Sequence, residues 1–378
     1  MPIFVISALL HGYVGWRLLP ALAGSGLALA ALAAALGASA LLMPLALFAR
    51  RIAPRRWADP LAWAGLLCMG LFSSLFVLTL LRDLALLLGA ILSALLALPL
   101  PIEALAFASA RGVVVGAVAV TLWGLLNARR TAAVVAVDVP IAGLPPDLHG
   151  FTIAQISDVH VGPTIKRAYL GAIVDAVNRL GVDMVAVTGD LVDGTVAELA
   201  HHVAPLAALS SRHGTFFVTG NHEYYSGAHA WIAELRRLGV RVLMNEHVVL
   251  RHGEADLLVA GVADHGAHRF DPAHRSDPQA ALAGAPPQAW LRVLLAHQPR
   301  SAPAAATAGF HLQLSGHPHG GQFWPWNLFV RLQQPFTAGL HRWRDLWVYT
   351  SRGTGYWGPP KRFGAPSEIT RLRLVPAA

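Results

Sequence analysis

Cysteine is almost absent from this chain. Its one copy, Cys68, lies in an apolar stretch, which excludes an intrachain disulfide and a thiolate metal site. Any bound metal must therefore be held by His, Asp or Asn. Charge is scarce too: 13% of residues are Asp, Glu, Lys or Arg and 55% are hydrophobic, whereas soluble globular domains carry roughly 25% charged residues. That imbalance points to a membrane protein. The net charge of +8 is split evenly about residue 150 and contains no long basic run, so no nucleic-acid partner is expected. Phosphate-rich substrates or an anionic membrane surface suit it equally well. No basic n-region precedes Ile3, which argues against a cleaved signal peptide over residues 1–35. Apart from Glu103, beside Pro99 and Pro101, no acidic residue stands in the middle of an expected span. The usual sign of an ion or proton pathway is missing, and an anchoring role is left.

The apolar excess is confined to residues 1–126. A span needs about 20 mostly apolar residues, and the expected spans are 3–19, 27–48, 61–81, 84–100 and 112–126, a count of four or five. Arg50, Arg51, Arg55 and Arg56 fall between the second and third and assign that loop to the cytoplasm. Five spans would leave the rest of the chain outside the cytoplasm, against the pull of Arg129 and Arg130; four would leave it inside. Residues 127–150, with Pro140, Pro145 and Pro146, read as a linker, and residues 151–378 as a folded α/β domain.

Within that domain, short runs rich in Val, Ile, Phe and Thr (151–156, 183–187, 215–218) alternate with helical spacing at 167–180, 196–209 and 227–238. Further strands are expected at 248–250, 256–260, 291–295, 310–314, 346–349 and 368–374. Alternation of this kind predicts a layered α/β sheet. Five polar clusters punctuate it: Asp158-Val159-His160, Gly189-Asp190, Gly220-Asn221-His222-Glu223, His297, and Gly316-His317-Pro318-His319-Gly320-Gly321-Gln322. Each follows a predicted strand, at the edge where open α/β sheets place their sites. Two Asp, one Asn and four His in this set suit two divalent cations sharing one carboxylate, the usual apparatus for hydrolysing phosphate esters.

The pattern Asp-x-His, Gly-Asp-x-x-Asp, Gly-Asn-His-Glu, His and Gly-His-x-His resembles the calcineurin-like metallophosphoesterase superfamily over residues 150–375. It is similar in particular to the membrane-associated bacterial branch, whose tail the run 351–360 also resembles. The resemblance implies a four-layer α-β-β-α sandwich behind the multi-pass helical region, in the bacterial inner membrane. It implies that Asp158, His160 and His319 bind one metal, that Asn221, His297 and His317 bind the other, and that Asp190 bridges them. The metals would be Mn, Fe or Zn, which neutral imidazole suits. His222 would act on the leaving group, oriented by Asp193 or Glu223, with Gln322 and Arg352 at the substrate. Pro318 departs from the family, which usually has Thr or another small polar residue there. Both flanking His remain, but a hydrogen bond from that position is lost.

The implied substrate is a lipid-linked phosphodiester or pyrophosphate, and the branch suggests a role like that of UDP-2,3-diacylglucosamine hydrolase in lipid A synthesis. An outward-facing envelope phosphodiesterase or phosphatase of broad specificity is the enzymatic alternative. A non-enzymatic membrane partner would require a broken ligand set, and no ligand is missing. The segment 323–347 carries Trp324, Trp326, Phe329, Trp343 and Arg331, which suits either packing at the sandwich edge or a lip at the membrane interface. Asp264 and His265 could support the metals. The remaining histidines, His229 and His274 among them, match no motif and read as surface or core.

Overall fold

Helices that are apolar on all sides need a nonaqueous surrounding or a deep core, and the first third of the chain is built from such helices. The computed structural model describes residues 2–286 and 290–377. It contains two units: Met1–Asn127 with Gly358–Lys361, and Ala128–Trp357 with Arg362–Ala378. The first unit holds α1 (Pro2–Leu18), α2 (Gly26–Leu47), a single turn α3 (Ala49–Ile52), α4 (Arg55–Leu96) and α5 (Ile102–Arg129). Among the described residues, four helices are long and apolar enough to cross a membrane.

The expected spans 61–81 and 84–100 are not separate: residues 55–96 form the one helix α4. The break was expected at the charged pair Arg82 and Asp83. In the structure Asp83 accepts from Arg17 Nε (2.7 Å), Arg17 Nη2 (3.0 Å), Tyr13 OH (2.7 Å) and Arg82 Nη1 (2.7 Å). Arg82 also donates to Ala106 O (2.7 Å). Compensation of this kind lets charge stand inside a helix without ending it, and it puts Asp83, expected between two spans, in the interior of one. Lys361, in the tail run, belongs to this unit, with Nζ donating to Gly70 O (2.8 Å) and Ser74 Oγ (2.5 Å).

The second unit has two six-stranded mixed sheets. One follows the order β1-β12-β2-β3-β4-β5, from β1 (Ala133–Ile141), β2 (Thr152–Ile156), β3 (Met184–Val187), β4 (Thr215–Phe217), β5 (Arg241–Val242) and β12 (Glu368–Pro376). The other runs β10-β11-β9-β8-β7-β6, from β6 (Glu246–His252), β7 (Ala255–Gly261), β8 (Leu291–Leu295), β9 (Leu312–Ser315), β10 (Gly339–Trp343) and β11 (Leu346–Thr350). Ile153, Met184 and Phe216 from the first sheet share one core with Leu257, Val293 and Leu314 from the second. The first sheet buries its other face under α6 (Arg167–Asn178), α7 (Val196–Val203) and α9 (Ala228–Arg237), through Leu170, Leu199 and Trp231. The second is covered by α10 (Ala302–Thr307), through Ala302 and Ala305. This is the expected α-β-β-α sandwich.

The strand core follows from composition. β2, β3 and β4 are buried on both faces, as parallel strands between layers require. α6 buries Leu170, Ile173, Val174 and Val177, the spacing of one helix face. Three strands were not expected. β1 lies in the region read as a linker. It pairs in parallel with β12 at the sheet edge, where Pro140 is tolerated because no further strand needs its N–H. β5 has two residues, and β10 lies in the aromatic segment.

Candidate active site

The strand ends converge as the motif positions predict. Asp158 and His160 follow β2, Asp190 follows β3, Asn221 opens the short α8 (Asn221–Tyr225) after β4, His297 follows β8, and His317 and His319 follow β9. The backbone at these turns is unusual: Asp158, His160, Asp190, His317 and His319 all have φ between 51° and 80°. Non-glycine residues in that region carry strain, and here it aims side chains inward. Close approach explains the flanking glycines. A Cβ on Gly316 would lie 2.0 Å from Ser157 Oγ and 2.1 Å from Asp158 Oδ2, and one on Gly220 would lie 2.2 Å from Asp190 Oδ1.

Two donor groups result. Asp158, His160 and His319 bring one ligand atom each within 4.8 Å of one another, and so do Asp190, His297 and His317. His160 Nε2 and His319 Nε2 face each other at 3.1 Å. His319 Nε2 is 3.4 Å from Asp158 Oδ1. In the other group, His317 Nδ1 lies 3.2 Å from His297 Nε2, which is 3.1 Å from Asp190 Oδ2. The same Asp190 oxygen is 3.9 Å from His160 Nε2, so this carboxylate stands between the groups. Asn221 Oδ1 is buried with no hydrogen-bond partner. Buried oxygens are rarely left orphaned, and a bound cation would satisfy this one. The donor set therefore fits two divalent ions.

Electrostatics agrees. Burial, reinforced by the charge of His297, lowers His317 to about 3. Burial and then the Arg362 guanidinium hold His319 well below its ordinary range. Both rings stay neutral, with lone pairs available. Burial opposes charge on Asp190, but the imidazoles of His297, His222 and His160 hold its carboxyl well below the usual range. His297 goes the other way: despite burial, Asp190 raises it well above 6.5.

His222 stands beside the two groups. Its Nδ1 is 2.6 Å from Asp193 Oδ1 and its Nε2 is 4.0 Å from Asp190 Oδ2. Burial disfavours the imidazolium, but the Asp193 hydrogen bond and the charges of Asp190 and Asp193 raise it to about 9. The orienting carboxylate is thus Asp193, whose Oδ1 also lies 3.0 Å from His160 Nδ1. Glu223 instead accepts from the backbone N–H groups of Asp190 (3.0 Å), Leu191 (2.8 Å) and Gly220 (2.6 Å), fixing the turn that carries Asp190.

Two expected substrate contacts look different in place. Gln322 gives both ends of its amide to Trp357, donating to its carbonyl (2.7 Å) and accepting from its N–H (2.8 Å). It positions the indole 5.7 Å from the His222 ring. Arg352 is half-buried and paired with Glu368 (2.8 Å). Asp264 is buried and accepts from Gln298 (2.9 Å), while His265 is exposed. Three arginines carried no sequence signal. Arg362 is buried and donates to His319 O (2.9 Å). Arg269 and Arg300 line a cleft of about 210 Å³ that also touches Asn221, Tyr225, Phe270 and His317.

Comparison with known proteins places this geometry in context. The calcineurin-like phosphoesterase family matches residues 151–321. A bovine (Bos taurus) protein named transmembrane protein with metallophosphoesterase domain is 43% identical over 265 residues, 67% of this chain and 60% of that protein. An uncharacterized metallophosphoesterase of Helicobacter pylori J99 is 39% identical over 229 residues, 59% of this chain and 60% of its own length. One from Aquifex aeolicus is 32% identical over 224 residues, 59% of this chain and 84% of its own length. The chain spans about 60% of the length of the first two.

Proposed function

Because the chain belongs to the calcineurin-like metallophosphoesterase family, a family of metal-dependent phosphoesterases, we propose that it hydrolyses a phosphodiester or pyrophosphate bond of a lipid-linked substrate at a dinuclear centre. The observation that carries the catalytic part is the pair of donor groups joined through Asp190, with the His222–Asp193 pair beside them. Asp158, His160 and His319 would hold one divalent cation; Asn221, His297 and His317 would hold the other; Asp190 would bridge. Bound there, such ions supply activated water and neutralise charge on the phosphoryl oxygens.

The chain's own groups do the rest. Asp193 holds His222 through Nδ1, which leaves the Nε2 proton facing the reaction space. That proton passes to the leaving oxygen as its bond to phosphorus breaks. Arg269 at the cleft offers its guanidinium N–H groups to phosphoryl oxygens, while Arg300, whose Nε and Nη2 donate to Gln333 O, has Nη1 left for such a contact. The lipid part of the reading is supported by an exposed apolar ridge a few residues past His319: Trp326 is 43% exposed, Leu328 58%, Phe329 55% and Leu332 84%. A cytoplasmic catalytic unit is supported by a count of four candidate spans from the arginine-rich loop 50–56, together with Arg129 and Arg130.

The first test is hydrolysis of an aryl phosphodiester by detergent-purified protein with Mn²⁺, Zn²⁺ or chelator. Metal-dependent activity that Asp190→Asn abolishes supports the centre. UDP-2,3-diacylglucosamine is then the first lipid-linked substrate to assay. Activity that survives both the chelator and Asp190→Asn would sink the catalytic reading.

A further inference from the structure

We propose that His229, Asp271 and His274 form a third metal site, separate from the dinuclear centre, for one transition-metal cation such as Zn²⁺. His229 lies in the first turn of α9, and Asp271 caps the turn Pro272–His274 on the segment after β7. One ligand atom from each lies within 4.8 Å of the other two. Asp271 Oδ1 is held by the Ala273 N–H (2.9 Å), which turns Oδ2 toward both rings. That oxygen is 3.0 Å from His229 Nε2 and 3.8 Å from His274 Nε2. Metal–ligand distances of about 2.0–2.2 Å at tetrahedral zinc put neighbouring ligand atoms roughly 3.3–3.5 Å apart, and the two observed separations bracket that value.

A surface ion pair would account for His229 and Asp271 alone. It does not account for His274. The ring nitrogen Nδ1 of His274 lies 2.9 Å from Tyr224 OH, an arrangement that fixes the ring and presents Nε2 to the other ligands, as hydrogen-bonded partners of metal-bound His do. Burial lowers the pKa of His274 in spite of the Asp271 charge, which keeps its lone pair free at neutral pH. Two imidazoles and one carboxylate leave a fourth position open on the exposed His229 side, and their ligand type suits zinc over calcium or magnesium.

Occupancy has a consequence for the cleft. Phe270, next to Asp271, packs against Tyr224 and Tyr225 with ring centroids at 5.7 and 5.5 Å. Phe270, Tyr225 and Arg269 form part of the cleft wall. A cation joining α9 to the segment 267–274 braces that wall, so it acts on substrate affinity and not on the bond-breaking step. The brace rests on the function proposed above; the site itself does not.

The experiment uses full-length protein in detergent, stripped of metal and titrated with Zn²⁺ against a chromophoric chelator. The comparison is wild type, His229→Ala, the double variant His229→Ala/His274→Ala, and Asp190→Asn. The double variant is expected to bind one equivalent fewer than wild type, whatever the wild-type total. Because His229 is exposed, its single variant keeps the fold and is expected to lose the same equivalent. Equal stoichiometry in wild type and both variants overturns the site. The double variant is further expected to raise KM for the aryl phosphodiester with kcat unchanged; a lost equivalent with KM unchanged overturns the brace. If Asp190→Asn binds as much zinc as wild type, the dinuclear reading fails while the third site stands.

Discussion

In the proposed reaction His222 carries one proton while Asp193, 2.6 Å from its Nδ1, holds the ring, and each can be replaced separately. His222→Asn is expected to lower kcat by about 10²- to 10⁴-fold, the usual contribution of a positioned acid, with metal content unchanged; full turnover in that variant would rule out the acid role. The five implied ligands at positive φ add a second expectation. Each such residue costs roughly 1–3 kcal/mol, and binding of cations to the folded state alone offsets that cost by mass action. Chelation is expected to lower Tm by several degrees and added Mn²⁺ or Zn²⁺ to restore it. An unchanged melting curve would mean that hydrogen bonds alone hold those turns. The convergence of the seven implied ligands was legible because each follows a predicted strand, and the structure brings those strand ends together; the assignment of each to a metal rests on the resemblance, for the lone His297 above all. Arg269, Arg300 and Arg362 were illegible for the opposite reason: each comes to the site from a loop with no periodicity or motif to mark it. Gln322 was legible as a site residue but not as the holder of an indole, since its partner Trp357 lies 35 residues away.

At the scale of elements, sequence patterns worked where one residue's environment is decided nearby. α6, α7 and α9 were predicted from the spacing of their own apolar residues. The fourth expected span failed because the fate of Arg82 and Asp83 is decided by Arg17, 66 residues from Asp83 in the chain. The pair stands inside helices apolar enough to cross a membrane, so the screening that weakens surface pairs is missing and removal of one partner should cost about 3–5 kcal/mol. Asp83→Ala is expected to lower Tm in detergent, and the double replacement Arg17→Met/Asp83→Leu to recover most of the loss. A double variant no more stable than Asp83→Ala would show that the pair does more than cancel charge. β1 was read as linker for a related reason. Its prolines signal irregular chain, and only its pairing with β12, more than 200 residues later, makes it a strand.

On the whole-molecule scale, a chain with four apolar helices and a hydrolase sandwich invites the view that its substrate is dissolved in the bilayer. The ridge at Trp324, Trp326 and Leu332 lets that view be tested. Trp324→Ser/Trp326→Ser is expected to raise KM several-fold for a phospholipid-type ester in mixed micelles and to leave a small soluble ester unaffected; equal effects on both would assign the ridge to packing. The sandwich itself ends in open sheet edges, and unpaired edges recruit strands from neighbouring molecules. β5 is too short to serve as such a template. β1 is long, but Asp138 pairs with Arg373 along it (2.6 Å) and Pro140 withholds an N–H near its end. At that edge one ion pair and one imino acid stand against the addition of a foreign strand.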